Sequence, residues 1–131
     1  MKILVKDDYG IYRKGISEII KDHYPDAIVM EAGSTTYLFE EINSTGCDLI
    51  ITSFDRQENA TAAFQFFKQK FPKIPVIVFG SNTNALWIAG LMANGANAYL
   101  NRNCSPGELT AAIDKATCNK AGSCPTRSST F

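Results

Sequence analysis

The sequence has little of what most catalytic and nucleic-acid-binding sites depend on. It contains one histidine, His23, and its 13 basic side chains are balanced by 13 acidic ones. This neutral balance gives the segment no electrostatic basis for gripping nucleic acid by itself. No apolar run approaches the roughly 18 residues of a membrane span, and no charged-then-apolar leader opens the chain. We therefore expect a cytoplasmic protein with no membrane partner.

The four cysteines lack the spacing of a metal or redox site. They are Cys47, Cys104, Cys118 and Cys124, with no C-x-x-C pair and no neighbouring histidine. This argues against both a zinc site and a redox pair. We predict buried or incidental thiols.

The length of 131 residues fits a single domain with its own core. From Asn119 onward, Gly, Ser, Thr and Pro dominate the composition. This predicts a folded domain over residues 1–118 and a linker or flexible tail over residues 119–131.

A buried central strand organises the rest of the chain. It begins at Asp48, runs through apolar and β-branched residues, and ends at Ser53. Similar runs predict strands over residues 2–6, 27–32, 74–79 and, more weakly, 96–100. Helical spacing predicts helices over residues 9–23, 59–71, 83–94 and from 106 onward, and a short helix that begins near Tyr37 and ends near Gly46. Five alternations predict an α/β fold: a five-stranded parallel sheet of order 2-1-3-4-5 with helices on both faces.

Local signals support several of these boundaries. Ser105, Pro106 and Glu108 form a capping box at the start of the last helix, and Gly95 is a plausible left-handed end to the fourth. The third helix has an unusually aromatic inner face, formed by Phe64, Phe66, Phe67 and Phe71.

In an open parallel sheet, ligands bind at the carboxyl ends of the strands. Asp7 and Asp8 directly follow the first strand, and Ser53 ends the third. We therefore expect any functional site to lie near Ser53.

The order of these features resembles a bacterial response-regulator receiver domain, the flavodoxin-like fold of the CheY type. The resemblance covers about residues 2–117. It rests on the segments Asp7-Asp8, Asp48-Leu49, Pro75-Val76-Ile77-Val78-Phe79 and Gly95-Ala96-x-Ala98-Tyr99-Leu100. The segments Ala93-x-Gly95-Ala96 and Ser105-Pro106-x-Glu108-Leu109 are most similar to the LuxR/FixJ subgroup, which precedes a helix-turn-helix domain.

The resemblance implies a specific chemistry. Receivers take a phosphoryl group from a partner histidine kinase onto an aspartate at the end of the third strand. The acidic pair and the acceptor hold Mg²⁺, while a hydroxyl and a lysine bind the phosphoryl oxygens. Aligned without gaps, Asp7 and Asp8 supply the acidic pair, but Ser53 replaces the acceptor, Gly80 the hydroxyl residue and Arg102 the lysine.

These replacements predict that the ordinary phosphoswitch is lost. Serine cannot form an acyl phosphate, and without a third carboxylate only weak Mg²⁺ binding by Asp7 and Asp8 is expected. The resemblance then implies a phosphorylation-independent, non-enzymatic receiver that requires no cofactor. It would act by forming a homodimer, by pairing with another regulator, or by docking a partner or small ligand. DNA would be reached only through a domain outside this sequence.

Two alternatives remain open. Asp55 lies on the same strand face as Ser53 and could serve as acceptor, although it is about 6–7 Å further along, so the loop would have to fold back. Alternatively, the vacated pocket near Ser53, Gly80 and Arg102 could bind an anion or metabolite. Hydrolase chemistry at Ser53 is disfavoured because His23 is predicted at the far end of the first helix.

The fourth helix and the fifth strand carry the candidate switch and interface residues. Tyr99 matches the aromatic residue that rotates in receivers. Trp87 and Leu91 lie four residues apart on the fourth helix, where they form either core or an exposed contact patch. Because receivers use this region as an output surface, we predict a dimer or partner interface here.

Overall fold

The computed structural model describes the backbone of residues 1–53 and 57–121 and the side chains of residues 1–53 and 61–118. Within these residues, five strands alternate with five helices, as predicted. In chain order they are β1 (Lys2–Lys6), α1 (Gly10–His23), β2 (Ile28–Ala32), α2 (Thr35–Thr45), β3 (Leu49–Ser53), α3 (Gln57–Lys70), β4 (Val76–Gly80), α4 (Ala85–Ala93), β5 (Ala98–Asn101) and α5 (Pro106–Ala121).

The strands form one parallel sheet of order β2-β1-β3-β4-β5, which confirms the predicted topology. Lys6 at the end of β1 is in register with Thr52 of β3. Ser53 lies beside Phe79, and Gly80 beside Asn101. The carboxyl ends of four strands therefore meet along one edge of the sheet.

Helices cover both faces of the sheet, and the apolar strand residues point alternately into two cores. One core packs Ile16 and Ile20 of α1 with Ile113 of α5. The other packs Leu38 of α2, Phe64 of α3 and Leu91 of α4. β3 and β4 are buried along their whole length, and their carboxyl ends lie at this edge of the sheet.

The predicted helix signals are present. The Ser105 hydroxyl accepts from the Glu108 amide at 3.1 Å, and Glu108 Oε1 accepts from the Ser105 amide at 3.1 Å, which completes the capping box. Gly95 has φ +110° just after α4, where a side chain would be strained. The last helix continues to Ala121, beyond the predicted domain boundary at residue 118; residues 122–131 lie outside the described part of the chain.

The cysteines differ from the prediction at one position. Cys47 and Cys104 are partly buried thiols, and burial, together with the nearby Glu108 carboxylate, raises the pKa of the Cys104 thiol. Cys118 is disulfide-bonded, so the prediction of an unpaired thiol is wrong there. A disulfide needs two sulfur atoms brought together in space, which irregular sequence spacing does not reveal. Among the described helices, none has the length and hydropathy to cross a bilayer.

Candidate functional site at the carboxyl edge of the sheet

The residue at the centre of this edge is Asp7, which follows β1 and is 1% exposed. Arg102, just after β5, donates from Nη1 to Asp7 Oδ2 at 2.9 Å and from Nη2 to Oδ1 at 3.5 Å. The Tyr9 amide donates to Oδ1 at 2.8 Å. The Asp7 carboxylate is therefore neutralised and hydrogen-bonded from within the protein.

Two tyrosines cover the guanidinium of Arg102. Its central carbon lies 4.4 Å from the ring centroid of Tyr12 and 5.4 Å from that of Tyr9. Such contacts favour a cation over an aromatic face. Only 7% of the Arg102 side chain is exposed, so its guanidinium is buried together with Asp7.

Lys6 supplies a second internal cation. It is the last residue of β1 and only 8% exposed, and its Nζ lies 3.3 Å from Asp8 Oδ1 and 3.5 Å from the Ser53 carbonyl oxygen. The Asp8 side chain is 57% exposed, so water screens this pair. Lys6 was not among the predicted site residues; its signal in the sequence is a charge at the end of an otherwise apolar strand.

The residues present do not fit a Mg²⁺ site. Magnesium prefers several hard oxygen ligands in octahedral geometry. Here Asp7 is bound to Arg102, Asp8 is paired with Lys6, and the third position is Ser53. Among the residues that the structure describes, no group of three or more metal-ligating side chains occurs. The predicted alternative acceptor, Asp55, lies outside the described residues.

Ser53 is 1% exposed, and its hydroxyl oxygen is buried without a hydrogen-bond partner among the residues that the structure describes. A nucleophilic serine requires a base within hydrogen-bond reach. His23 is the last residue of α1, about 20 Å along the helix from the sheet edge, and packs against Tyr24 with ring centroids 4.7 Å apart. The arrangement offers Ser53 no histidine base.

Tyr99 fills the space next to Gly80. A Cβ atom added to Gly80 would lie 2.6 Å from the Tyr99 hydroxyl oxygen and 3.3 Å from its ring. This hydroxyl donates to the Asn82 carbonyl at 2.9 Å, and the ring packs edge-on against Trp87 at 5.7 Å. The sequence predicted the loss of a donor at Gly80, but not that an aromatic residue would occupy the vacated space.

The predicted anion pocket is therefore not open. The space at Gly80 is taken by Tyr99, and Arg102 is bound to Asp7. A backbone hydrogen bond from Arg102 to the Gly80 carbonyl, at 3.0 Å, still holds the two residues at the same edge.

The fold was compared with solved structures. The beryllofluoride-activated NtrC4 receiver domain dimer matches with a TM-score of 0.80 and 18% identity, covering 91% of this chain and 98% of that one. RcsB from Salmonella enterica serovar Typhimurium, bound to a promoter, matches with a TM-score of 0.76 and 19% identity, covering 86% and 66%. This chain has the receiver-domain fold. No family model matches the sequence.

Curated relatives of this receiver-fold chain are transcription regulators. It is 27% identical over 110 residues to the uncharacterized transcriptional regulatory protein YhcZ of Bacillus subtilis, covering 83% of this chain and 51% of that protein. It is 24% identical over 119 residues to the glycerol metabolism activator of Pseudomonas putida, covering 87% and 52%. The chain thus spans about half the length of these relatives.

The two predicted interface residues on α4 differ in how deeply they are buried. Leu91 is fully buried in the core, so its assignment to an exposed interface is wrong: it lies on the face of α4 that packs against the sheet. Trp87 is partly buried against Tyr99. The large apolar residues that this helix exposes are Leu86, at 85%, and Met92, at 41%.

Proposed function

We propose that this chain is the receiver-like regulatory domain of a transcription regulator and that its state is set without phosphoryl transfer. The fold and the curated relatives support the regulatory role. The observation that carries the phosphorylation-independent mechanism is the buried ion pair of Asp7 and Arg102. An internal cation lies where the family chemistry would place a metal ion.

The ion pair resists replacement by a metal ion for an energetic reason. Removing one partner of a buried pair typically costs about 3–5 kcal/mol, since the other charge is left unpaired and desolvated. Mg²⁺ would have to displace Arg102 from Asp7 and also compete with Lys6 for Asp8. We therefore expect Mg²⁺ binding to be weak at most.

The Gly80 side of the site supports the same proposal. In receivers, the residue at this position follows the phosphoryl group through its hydroxyl. In this chain Gly80 has no hydroxyl. Tyr99 is held inward by its hydrogen bond to the Asn82 carbonyl and by its contact with Trp87. We infer one fixed state in which the aromatic residue does not rotate.

With the phosphoswitch lost, function depends on association. The domain would act by dimerising or by docking a protein partner or small ligand, with no required cofactor and no enzymatic activity. The solved neighbours include a receiver dimer and a promoter-bound regulator. For this chain, DNA contact would belong to a domain outside the sequence. The helix α4, which has no charged residue and exposes Leu86, is a candidate output surface.

An amide NMR titration tests the proposal, first with Mg²⁺ and then with beryllofluoride, a mimic of the phosphoryl group on aspartate. We expect no saturable shifts at Asp7, Asp8 or Arg102. The matched control carries Ser53→Asp, Gly80→Thr and Arg102→Lys, which restores the residues that the receiver chemistry uses. Saturable shifts in the unmodified chain would overturn the proposal, and shifts centred on Asp55 would identify that residue as the acceptor.

A further inference from the structure

The C-terminal part of α5 carries a covalent link that the proposed function does not use. Cys118 is disulfide-bonded and partly exposed, whereas Cys47 and Cys104 are thiols. Of the four cysteines in the sequence, this leaves Cys124 as the partner within the chain. Cys124 follows six residues later and lies outside the described residues. The link therefore joins the last helix to the segment that comes after it.

One end of this link is fixed to the core of the domain. Ala116, two residues before Cys118, is 2% exposed and packs in the core between α1 and α5. The Thr117 hydroxyl donates to the Ile113 carbonyl at 2.8 Å, a bond that a regular helix allows at this spacing. Cys118 thus lies on an anchored turn, so a residue bound to its sulfur atom is held at the surface of the domain.

A disulfide between residues 118 and 124 excludes a continuous helix between them. Six residues of α-helix advance by about 9 Å along the axis, whereas the two Cα atoms of a disulfide lie within about 7 Å. The described helix ends at Ala121, between the two cysteines. Without the disulfide, the same two Cα atoms could separate by as much as about 20 Å. The oxidation state therefore limits how far the chain beyond residue 124 can lie from α5.

We propose that Cys118 and Cys124 form a reversible redox site that controls how the chain leaves the domain. This inference rests on the proposed function, since the regulator it describes would work in the reducing interior of a cell. Disulfides found there are mostly transient, catalytic or redox-sensing. Under the proposed function, the domain that contacts DNA lies outside this sequence. The disulfide would hold the connection to that domain close to α5, and reduction would release it.

The redox step is an exchange with a small-molecule disulfide of the glutathione type. The thiolate of one cysteine attacks the reagent, which forms a mixed disulfide and releases one thiolate. The second cysteine attacks the mixed disulfide and releases the other thiolate. The two cysteines are oxidised, the reagent is reduced to two thiols, and these take up the two protons that the cysteines lose. Excess thiol of the same type reverses both steps.

The charge around the site suits such a reagent. From Lys115 to the end of the sequence there are three basic residues, the others being Lys120 and Arg127, and no acidic one. A disulfide of the glutathione type carries several carboxylates, so this basic segment attracts it. Cys104 lies instead near the Glu108 carboxylate, which makes it a suitable comparison.

The redox site and the proposed function are tested by separate readouts. The beryllofluoride titration reports the phosphoswitch, while the peptide link and the exchange rates described below report the redox site. A chain that binds beryllofluoride and forms the disulfide would overturn only the loss of the phosphoswitch. A chain that ignores beryllofluoride and never forms the disulfide would overturn only the redox site.

Peptide mapping of the purified 131-residue chain tests the pairing. Trypsin cleaves after Lys and Arg, so the chain treated with oxidised glutathione should yield peptides 116–120 and 121–127 joined by one disulfide. Excess reduced glutathione should separate them without denaturant. In Cys124→Ser, Cys118 should react with an alkylating reagent. Unlinked peptides after oxidation, or a link that the native protein does not open in excess thiol, would overturn the proposal.

Hydrogen exchange followed by mass spectrometry tests the effect on α5. We expect the amides of residues 117–121 to exchange at least about tenfold faster after reduction, because a short covalent loop limits fraying of the last turn. Cys118→Ser should show the fast rate with and without reductant. Cys104→Ser is the matched control, since it removes a thiol outside the link and should keep the redox response. Equal exchange in the oxidised and reduced chain would overturn the proposed control of the exit segment.

Discussion

Two parts of the candidate site are occupied in different ways. Cations lie next to the acidic residues that follow β1, whereas the aromatic ring of Tyr99 lies next to the end of β4. Arg102 and Lys6 neutralise Asp7 and Asp8. Tyr99 occupies the space beside Gly80 by packing. Under the proposed function, phosphoryl transfer at this edge would therefore be opposed in two ways, electrostatically at Asp7 and sterically at Gly80.

Substitutions at the Asp7–Arg102 ion pair and at the Gly80–Tyr99 contact should lower the free energy of unfolding by different amounts. A buried charge without its partner is penalised by desolvation, while an overfilled apolar space can relax by moving a side chain. We therefore expect the electrostatic side to be the more sensitive. Substitutions on the two sides should therefore lower stability by different amounts.

Arg102→Ala should have the largest effect. It leaves Asp7 buried without its cation, which we expect to lower the free energy of unfolding by about 3–5 kcal/mol in urea denaturation. Arg102→Lys is the control: it keeps the charge but loses the bidentate geometry and the aromatic stacking, so its loss should be smaller. Equal losses in both variants would show that geometry, not charge, holds Asp7.

Gly80→Ala should come next, at about 1–3 kcal/mol, because its Cβ would lie 2.6 Å from the Tyr99 hydroxyl. The ring should move outward, which is measurable as lost nuclear Overhauser contacts between Tyr99 and Trp87. In a Tyr99→Phe background the same substitution should cost less, since the clashing oxygen is gone. An equal cost in both backgrounds would contradict the steric explanation.

Ser53→Ala should change stability by at most about 1 kcal/mol, and in the stabilising direction. The substitution removes a buried hydroxyl that makes no hydrogen bond, so little is lost with it. Thermal denaturation measures the difference. A clear destabilisation would mean that the hydroxyl is satisfied in solution.

Lys6→Met should have the smallest effect of the four, within about 1 kcal/mol, because water screens the Asp8 partner. The methionine keeps most of the apolar stem that Lys6 buries. A loss comparable to that of Arg102→Ala would show that the two cations contribute equally. Urea denaturation beside the Arg102 variants gives the direct comparison.

Much of the fold was predictable because its signals are local. The apolar runs of β1, β3 and β4, the capping box at Ser105 and the glycine after α4 each act within a few residues. The candidate position of Asp7 beside Ser53 followed from strand order alone. Individual exposures were less predictable: Phe66, expected on the inner face of α3, is 58% exposed, because the helical stripe is wider than the surface it covers.

The order of the strands and the placement of Asp7, Asp8 and Ser53 at one edge could be predicted from the sequence, and the replacement of an acceptor carboxylate by Ser53 stays a prediction. Periodicity and residue chemistry suffice for these conclusions. The structure was needed to show that Arg102 reaches Asp7 and that Tyr99 fills the space at Gly80. Both contacts join residues far apart in the chain, and their geometry depends on how β5 is placed against β4 and β1, which no local pattern encodes.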